Sequence, residues 1–448
     1  MQMKSNSLTQ GTPWKGILAF MIPVFLGILL QQLYNTVDTI IVGNFAGETP
    51  LAAVGACGVL TMAFLALANG FSAGASVLIA QLFGADKKEE MRRQASSSLL
   101  VMLAMGVAAT AVGIAISRFA LRHILATPES LIPMADMYFR IYAAGFIFQF
   151  GYNIVAAILR GIGDSRATLY FLLVASVVNV LLDVFFVYCL GMGVAGAAIA
   201  TDIAQALSLV VAVLYMMRKY PLFRWRIHEF TFERQLAGRV LRTGYPMALQ
   251  QFIVSFGFVF IQRAVNSYGE AMTASFSVAQ KIETYMTLPA SALMTTQATY
   301  TGQNIGAGRT DRVVAGAMQT ILLSDIISAC ILSAVFVFAQ PIVAMFGLGA
   351  EAIGYCVAHV RCVAICLILF ASYFPLLGLF QGANDALFST LVATSALGIR
   401  VASTYLLRRI PAINYRMIWW NMLFGWGLGC AITWAHFLRG KWKKNSHG

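Results

Sequence analysis

Apolar runs of about 20 residues, each long enough to cross a bilayer as a helix, recur along nearly the whole of this chain. In hydrocarbon, backbone N–H and C=O groups must be satisfied within the protein, so a chain made of such runs folds as an all-α bundle. Twelve transmembrane helices are expected, at about 16–42, 50–82, 94–117, 134–158, 167–190, 193–217, 240–267, 271–303, 313–340, 355–380, 386–408 and 414–437. With 59% hydrophobic and 11% charged residues among 448, little is left for a soluble domain. Pro23, Pro246, Pro289 and Pro375 fall inside spans, where proline can kink a helix. The first run is longer than a signal-peptide core and no small-residue cleavage site follows it, so it is read as a retained helix.

The net charge of +13 does not point to nucleic acid, and no nucleic-acid partner is expected. Basic residues of a membrane protein collect in cytoplasmic loops. One set of loops carries Lys87, Lys88, Arg92 and Arg93, then Arg160 and Arg166, then Arg218 to Arg242, then Arg309 and Arg312. Lys4 and Lys15 at one end, and Arg439, Lys441, Lys443 and Lys444 at the other, belong to that side. The opposite loops hold fewer: Arg118, Arg122, Arg140, Arg408, Arg409 and Arg416. Both termini are therefore expected in the cytoplasm of a multi-pass protein of the plasma membrane. The seven cysteines fall mostly inside apolar runs without CxxC spacing and read as packing thiols.

The chain repeats itself. Gln81-Leu82-Phe83-Gly84-Ala85 ends the second span, and Gln303-Asn304-Ile305-Gly306-Ala307 ends the eighth. Gly161-Ile162-Gly163-Asp164 after the fourth span has its counterpart in Gly382-Ala383-Asn384-Asp385 after the tenth. Pro23 of the first span answers to Pro246 of the seventh. All three pairs are separated by nearly the same stretch of chain, close to half its length, which describes a duplicated six-helix unit. An even number of spans per unit keeps both halves in one orientation, a parallel repeat. The expected division is an N-terminal lobe at 1–217, an amphipathic cytoplasmic connector at 218–239, and a C-terminal lobe at 240–448 with a basic tail.

Four polar side chains interrupt the apolar runs of the first half. Asn179 and Asp183, one helical turn apart in the fifth span, share one helix face. Asp38 lies near the end of the first span and Thr201 in the sixth, after the small-residue run Gly193–Ala198 that lets helices approach closely. A charge at the bilayer centre costs roughly 2.5 kcal/mol or more, so an intramembrane carboxylate either joins a helix–helix hydrogen bond or has work to do. If the first, fifth and sixth helices meet, Asp38, Asn179, Asp183 and Thr201 make one polar pocket. Two carboxylates in a partly dry cavity resist ionising together, and a proton or small hard cation relieves the repulsion. The oxygens of Asn and Thr suit such a cation, with Na+ a possible occupant. Asp202, beside Thr201, either faces away, since helix neighbours point about 100° apart, or adds a third carboxylate.

The two six-helix halves, the QxxGA ends, the GxGD-type turn, and the stretch Gln31-Gln32-Leu33-Tyr34-Asn35-Thr36-Val37-Asp38-Thr39-Ile40-Ile41-Val42-Gly43 together resemble the multidrug and toxic compound extrusion (MATE) family. The resemblance covers nearly the whole chain. It implies two lobes forming a V around a central cavity. Within the branch resembling the prokaryotic DNA-damage-inducible protein F, it implies a cation site at Asp38, Asn179, Asp183 and Thr201. Tyr34 matches a family tyrosine; it reads equally well as an interfacial aromatic.

The second half does not repeat the pocket, because Arg400 and Thr404 occupy the positions that correspond to Asn179 and Asp183. Arg400 is either a cavity cation or a structural donor. The glutamate that another MATE branch carries in its seventh helix is absent; Gln250, Gln251 and Ser255 are the polar groups there. Arg263, Lys281 and Glu283 are candidates for substrate contact or ion pairing. Lys281 and Glu283 are two apart and need partners elsewhere. Met and Phe, 20 and 31 in number, can line an adaptable cavity, though most should face lipid.

Among enzyme signatures, HExxH, GxSxG and the Walker loop are missing. No catalytic residue and no cofactor are expected, and energy should come from an ion gradient. The reading is a monomeric secondary exporter that exchanges inward H+ or Na+ for an amphipathic, often cationic organic compound. A lipid-linked sugar flippase of a related superfamily branch is the first rival, and a membrane-embedded enzyme or receptor-like protein the second.

Overall fold

The computed structural model describes residues 7–225, 229–408, 410 and 414–445. Lys4, Arg226 and Arg409 of the loop-charge argument lie outside the described residues. The major elements are helices: α1 (Pro13–Ile41), α2 (Glu48–Gly84), α3 (Lys88–Phe119), α4 (Ile132–Ala144), α5 (Phe146–Gly161), α6 (Ser165–Asp183) and α7 (Gly193–Lys219). After a connector come α8 (Arg234–Asn266), α9 (Glu270–Gly306), α10 (Thr310–Ala344), α11 (Ala350–Leu369), α12 (Tyr373–Gly382), α13 (Ala386–Leu407), α14 (Met417–Arg439) and the short α15 (Trp442–Asn445).

Nine of these, α1, α2, α3, α6, α7, α8, α10, α11 and α13, are long and apolar enough to cross a membrane among the described residues. The pair α4 and α5 makes a tenth crossing, bent by 43° at Gly145. Two more, α9 and α14, have the length at 37 and 23 residues. α9 is less apolar because it carries Glu270, Lys281, Glu283 and a run of Thr, Gln and Asn toward its end. With α12 continuing the crossing begun by α11, the twelve expected spans are all present. Pro23, Pro246 and Pro289 lie within unbroken helices. Pro375 sits instead in the first turn of α12, where its missing N–H costs no helix bond.

Two compact units emerge: residues 1–7 with 22–249, and residues 8–21 with 250–448. Each contains the lead-in of the other's first helix. α1 changes unit beside Pro23, and α8 changes unit just after Pro246, so the exchange obeys the repeat.

In the first unit, the glycines of α2 let the start of α8 touch it backbone to backbone. A Cβ on Gly74 would come within 2.6 Å of Gly244 Cα, and one on Gly70 would overlap Ala248. Between apolar helices in lipid, such close van der Waals approach is a main source of adhesion. Phe64, Phe139 and Phe146 fill the interior, with Phe64 and Phe146 stacked at 4.7 Å. Described residues of the connector pack inward. Phe223 and Trp225 are buried, and the Thr231 N–H donates to Ser96 Oγ at 3.0 Å. α7 runs to Lys219 and α8 starts at Arg234, so the expected connector 218–239 takes in the end of one helix and the start of the next.

The turn after α5 depends on Gly163, at φ 89°. Next to it, Asp164 caps α6 by accepting from the Ala167 N–H at 3.3 Å. Its other oxygen accepts from Lys219 Nζ at 2.9 Å, Tyr215 OH at 3.0 Å and Tyr220 OH at 2.7 Å. Burial raises the Asp164 pKa, but these donors outweigh burial and hold it below the usual carboxylate value.

In the second unit, Asn384 takes the corresponding left-handed position at φ 60°, and Asp385 accepts from or pairs with His436 Nε2 at 2.7 Å. The lead-in to α1 is clasped here. Leu8 N–H donates to Gln303 Oε1 at 2.9 Å, and Arg309 and Arg312 donate to the carbonyls of Thr9 and Gly11 at 2.8 and 3.0 Å. Gln303 belongs to the repeated QxxGA end, so that repeat has a structural task in this unit.

Candidate cation site

Asp183 is the last α-helical residue of α6, immediately before the π turn Val184–Cys189, and is fully buried. Asn179 lies one turn earlier and is 2% exposed. Its Nδ2 points to Thr201 Oγ1 on α7 at 3.5 Å, and that hydroxyl donates to the Ala197 carbonyl at 3.1 Å. Asp38, near the end of α1, brings its carboxyl within hydrogen-bonding reach of Asp183. The first, fifth and sixth spans thus bring Asp38, Asn179, Asp183 and Thr201 together inside one unit.

The chemistry follows from what is missing around them. Asp38 Oδ1, Asn179 Oδ1 and both oxygens of Asp183 are buried without a donor. Among the described residues, no Lys, Arg or His forms an ion pair with either carboxylate. Unpaired buried charge is costly, so this cluster calls for a proton or a cation. Every candidate ligand is an oxygen, which suits a hard cation. Among the described residues, no three His, Cys, Asp or Glu side chains converge on a point.

Tyr34 stands one turn before Asp38, hydrogen-bonded to Gln31 and within electrostatic reach of Asp38 and Asp183. Thr201 faces α6, whereas Asp202 sets its carboxylate against Gly145, at the bend between α4 and α5. A Cβ at Gly145 would overlap that carboxylate. Tyr138 and Tyr142 of α4, with rings 5.9 Å apart, lie within electrostatic reach of Asp38 and Asp202. The sequence reading overlooked these tyrosines, although their i,i+4 spacing puts them on one face.

The candidates of the second half do not converge in this way. Arg400 on α13 is buried and donates from Nε to Asn421 Oδ1 at 2.9 Å. Phe258 and Trp426 lie 5.4 and 5.8 Å from its guanidinium. Gln250 Oε1 accepts from Gln381 at 3.4 Å, and Gln251 is exposed. Arg263 and Lys281 form no ion pair among the described residues, and Lys281 is exposed. Glu283 is buried and faces His359 Nε2 at 3.7 Å. His359 was overlooked as well, although an ionisable residue inside an apolar span is a signal in itself.

Comparisons of the whole chain with known proteins agree with one another. The MatE family profile matches residues 23–185 and 246–406, one match in each half. A probable multidrug resistance protein of Bacillus subtilis, YpnP, is 28% identical, covering 92% of this chain and 97% of its own. A probable multidrug resistance protein of Thermotoga maritima, NorM, is 22% identical, covering 96% and 94%. Among solved structures, a MOP superfamily transporter from Pyrococcus furiosus superposes with TM-score 0.91 at 25% identity over 97% and 98% of the two chains. A MATE family multidrug transporter in an outward-facing conformation gives 0.91 at 26% identity over 98% of each chain. Twelve spans in two repeats, matched in both halves, make this chain a multi-pass membrane protein that belongs to the MatE family.

Proposed function

We propose that the chain is a secondary active exporter that carries an amphipathic, often cationic organic compound outward in exchange for inward-moving H+ or Na+. The carrying observation is the pair Asp38 and Asp183, which meet with no counter-cation among the described residues, while three of their own oxygens and Asn179 Oδ1 are buried without a donor. A site that must be neutralised, and that can be neutralised reversibly, converts an ion gradient into a bias between two conformations. Asn179 and Thr201 supply further oxygens, and Tyr34 stands one turn before Asp38, within electrostatic reach of both carboxylates. The names of the relatives, multidrug resistance and export proteins, support an organic drug-like cargo over a lipid-linked sugar. The missing Walker loop supports gradient energy over ATP, and transport over catalysis.

In this reading the repeats 1–217 and 240–448, joined by the connector 218–239, are the lobes that move against each other during the cycle. The protein works as a monomer in the plasma membrane, with both termini in the cytoplasm and no cofactor besides the coupling ion.

The test is dye transport in proteoliposomes with pH and sodium gradients imposed separately. One gradient should drive uphill transport, and a matched potassium gradient should not. Transport driven by neither H+ nor Na+ would contradict the proposal.

A further inference from the structure

The polar start of α8 has two unlike faces. Ala237, Val240, Gly244 and Ala248 are buried and recur at three- and four-residue spacing along one side, where Gly244 and Ala248 meet α2. The opposite side carries Arg234, Arg239, Leu241, Arg242 and Tyr245, all exposed. Arg239, Arg242 and Tyr245 follow one another at three-residue spacing, so they lie on one stripe. Just before the helix, Phe232 is 62% exposed, whereas Phe230 of the same connector packs on Trp225. The apolar part of this span begins at Gly244. The three arginines therefore precede the hydrocarbon and Tyr245 stands at its edge, the positions that basic and aromatic side chains favour at a membrane interface.

Charge pairing sets this stripe apart. At the start of α3, in the same unit, Lys87 pairs with Glu90 at 3.0 Å and Lys88 with Asp86 at 3.6 Å. Arg92 pairs there with Glu229 at 2.7 Å and Arg93 with Glu89 at 3.7 Å. Arg234, Arg239 and Arg242 form no ion pair among the described residues, and α8 contains no acidic residue. Glu233, next to Arg234 in the chain, reaches Arg93 at 4.0 Å. Three unneutralised guanidinium groups beside exposed apolar and aromatic side chains match a partner with an anionic head and an apolar body. A free phosphate ion would satisfy only the arginines.

We propose that this face of α8 binds the headgroups of anionic phospholipids. Arg239 and Arg242 donate to phosphate oxygens, which the planar guanidinium fork matches bidentately. Arg234 adds positive charge one turn further out. Phe232, Leu241 and Tyr245 enter the boundary between headgroups and acyl chains. The start of α3 is richer in basic residues, but its charges are neutralised within the protein and it shows no such preference. On the loop-charge topology the leaflet concerned is the cytoplasmic one. Lipid binding needs no transport step, so it stands or falls apart from the exporter reading.

The test is native mass spectrometry of the full-length protein in detergent, titrated with phosphatidylglycerol or with phosphatidylcholine. Wild type should bind the first phosphatidylglycerol more tightly than the first phosphatidylcholine. Replacing all three arginines, Arg234→Gln, Arg239→Gln and Arg242→Gln, should weaken the phosphatidylglycerol affinity by about fivefold or more and leave phosphatidylcholine unchanged. The triple arginine-to-lysine variant keeps the charge, serves if the glutamine variant does not fold, and should retain most of the preference. Lys87→Gln with Lys88→Gln should stay within about twofold of wild type, because those exposed charges are already paired. An unchanged affinity in the glutamine variant, or an equal loss in the Lys87, Lys88 control, would overturn the proposal. Displacement of the lipid by millimolar inorganic phosphate would also overturn it, in favour of a free-anion site.

Discussion

The Asn179 amide nitrogen points at the Thr201 hydroxyl across 3.5 Å, which ties α6 to α7 and leaves the amide oxygen buried without a donor. That oxygen is free to bind an ion only because the nitrogen is held. Asn179→Ala removes one neutral ligand and leaves both carboxylates. Losing an interaction worth roughly 0.5–1.5 kcal/mol predicts an ion affinity weaker by about 2- to 13-fold, with transport still coupled. Isotope-flux measurements over a range of ion concentrations should show a raised half-saturation and a nearly unchanged maximum.

Asp164 gives a prediction about pH and stability. Its folded pKa lies below the usual value, so the unfolded chain binds its proton more tightly. The stabilisation it gives is fully present above the unfolded pKa of about 3.9 and is lost as pH falls through the folded value. Asp164→Asn should therefore lower the melting temperature at neutral pH, by an amount corresponding to about 2 kcal/mol once the partial exposure of Lys219 is discounted. The gap between variant and wild type should narrow as the pH falls below about 4. A constant gap across that range would argue that the carboxylate charge is not what stabilises the turn.

Gly74 faces Gly244 so closely that any side chain must separate α2 from the start of α8. Gly74→Val should destabilise the first unit by about 1–3 kcal/mol, the usual cost of overpacking. Melting in detergent reads the effect, and Gly55, which has open space, supplies the control: Gly55→Ala should be near neutral.

The loop charges predict sidedness. In a cysteine-free background, Lys88→Cys at the start of α3 and Glu48→Cys at the start of α2 should label from opposite faces of the membrane, with Lys88→Cys on the cytoplasmic side. Labelling of both from outside would remove the twelve-span topology.

Much of this was legible in the sequence because lipid enforces simple rules. A run of apolar residues has to become a helix, so the twelve spans follow from length alone. The repeat pointed to equivalent turns, and Gly163 and Asn384 indeed take left-handed conformations at matching places. The pocket was legible where polar residues interrupt apolar runs, as at Asp38 and Asp183. Pairings that depend on distant chain segments were not. Glu283 and His359 meet although the whole of α10 lies between them in the chain, and no spacing rule connects them. The bend at Gly145 was hidden because Asp202, the side chain that needs the missing Cβ, lies on another helix. Nor does periodicity indicate that α1 and α8 each belong partly to the other repeat's unit, since the unit a segment packs into is decided by contacts distant in the chain.

The central claim is that Asp38 and Asp183 carry the coupling ion. It is tested most directly by measuring dye export and substrate-induced proton or sodium movement together, in proteoliposomes containing the Asp38→Asn, Asp183→Asn double variant. Asparagine keeps the size and much of the hydrogen bonding but removes both titratable charges. Insertion and melting should be nearly preserved, while uphill export and ion movement fall to the level of liposomes without protein. Near-normal coupled export in that variant would contradict the account and take the coupling site out of the first unit.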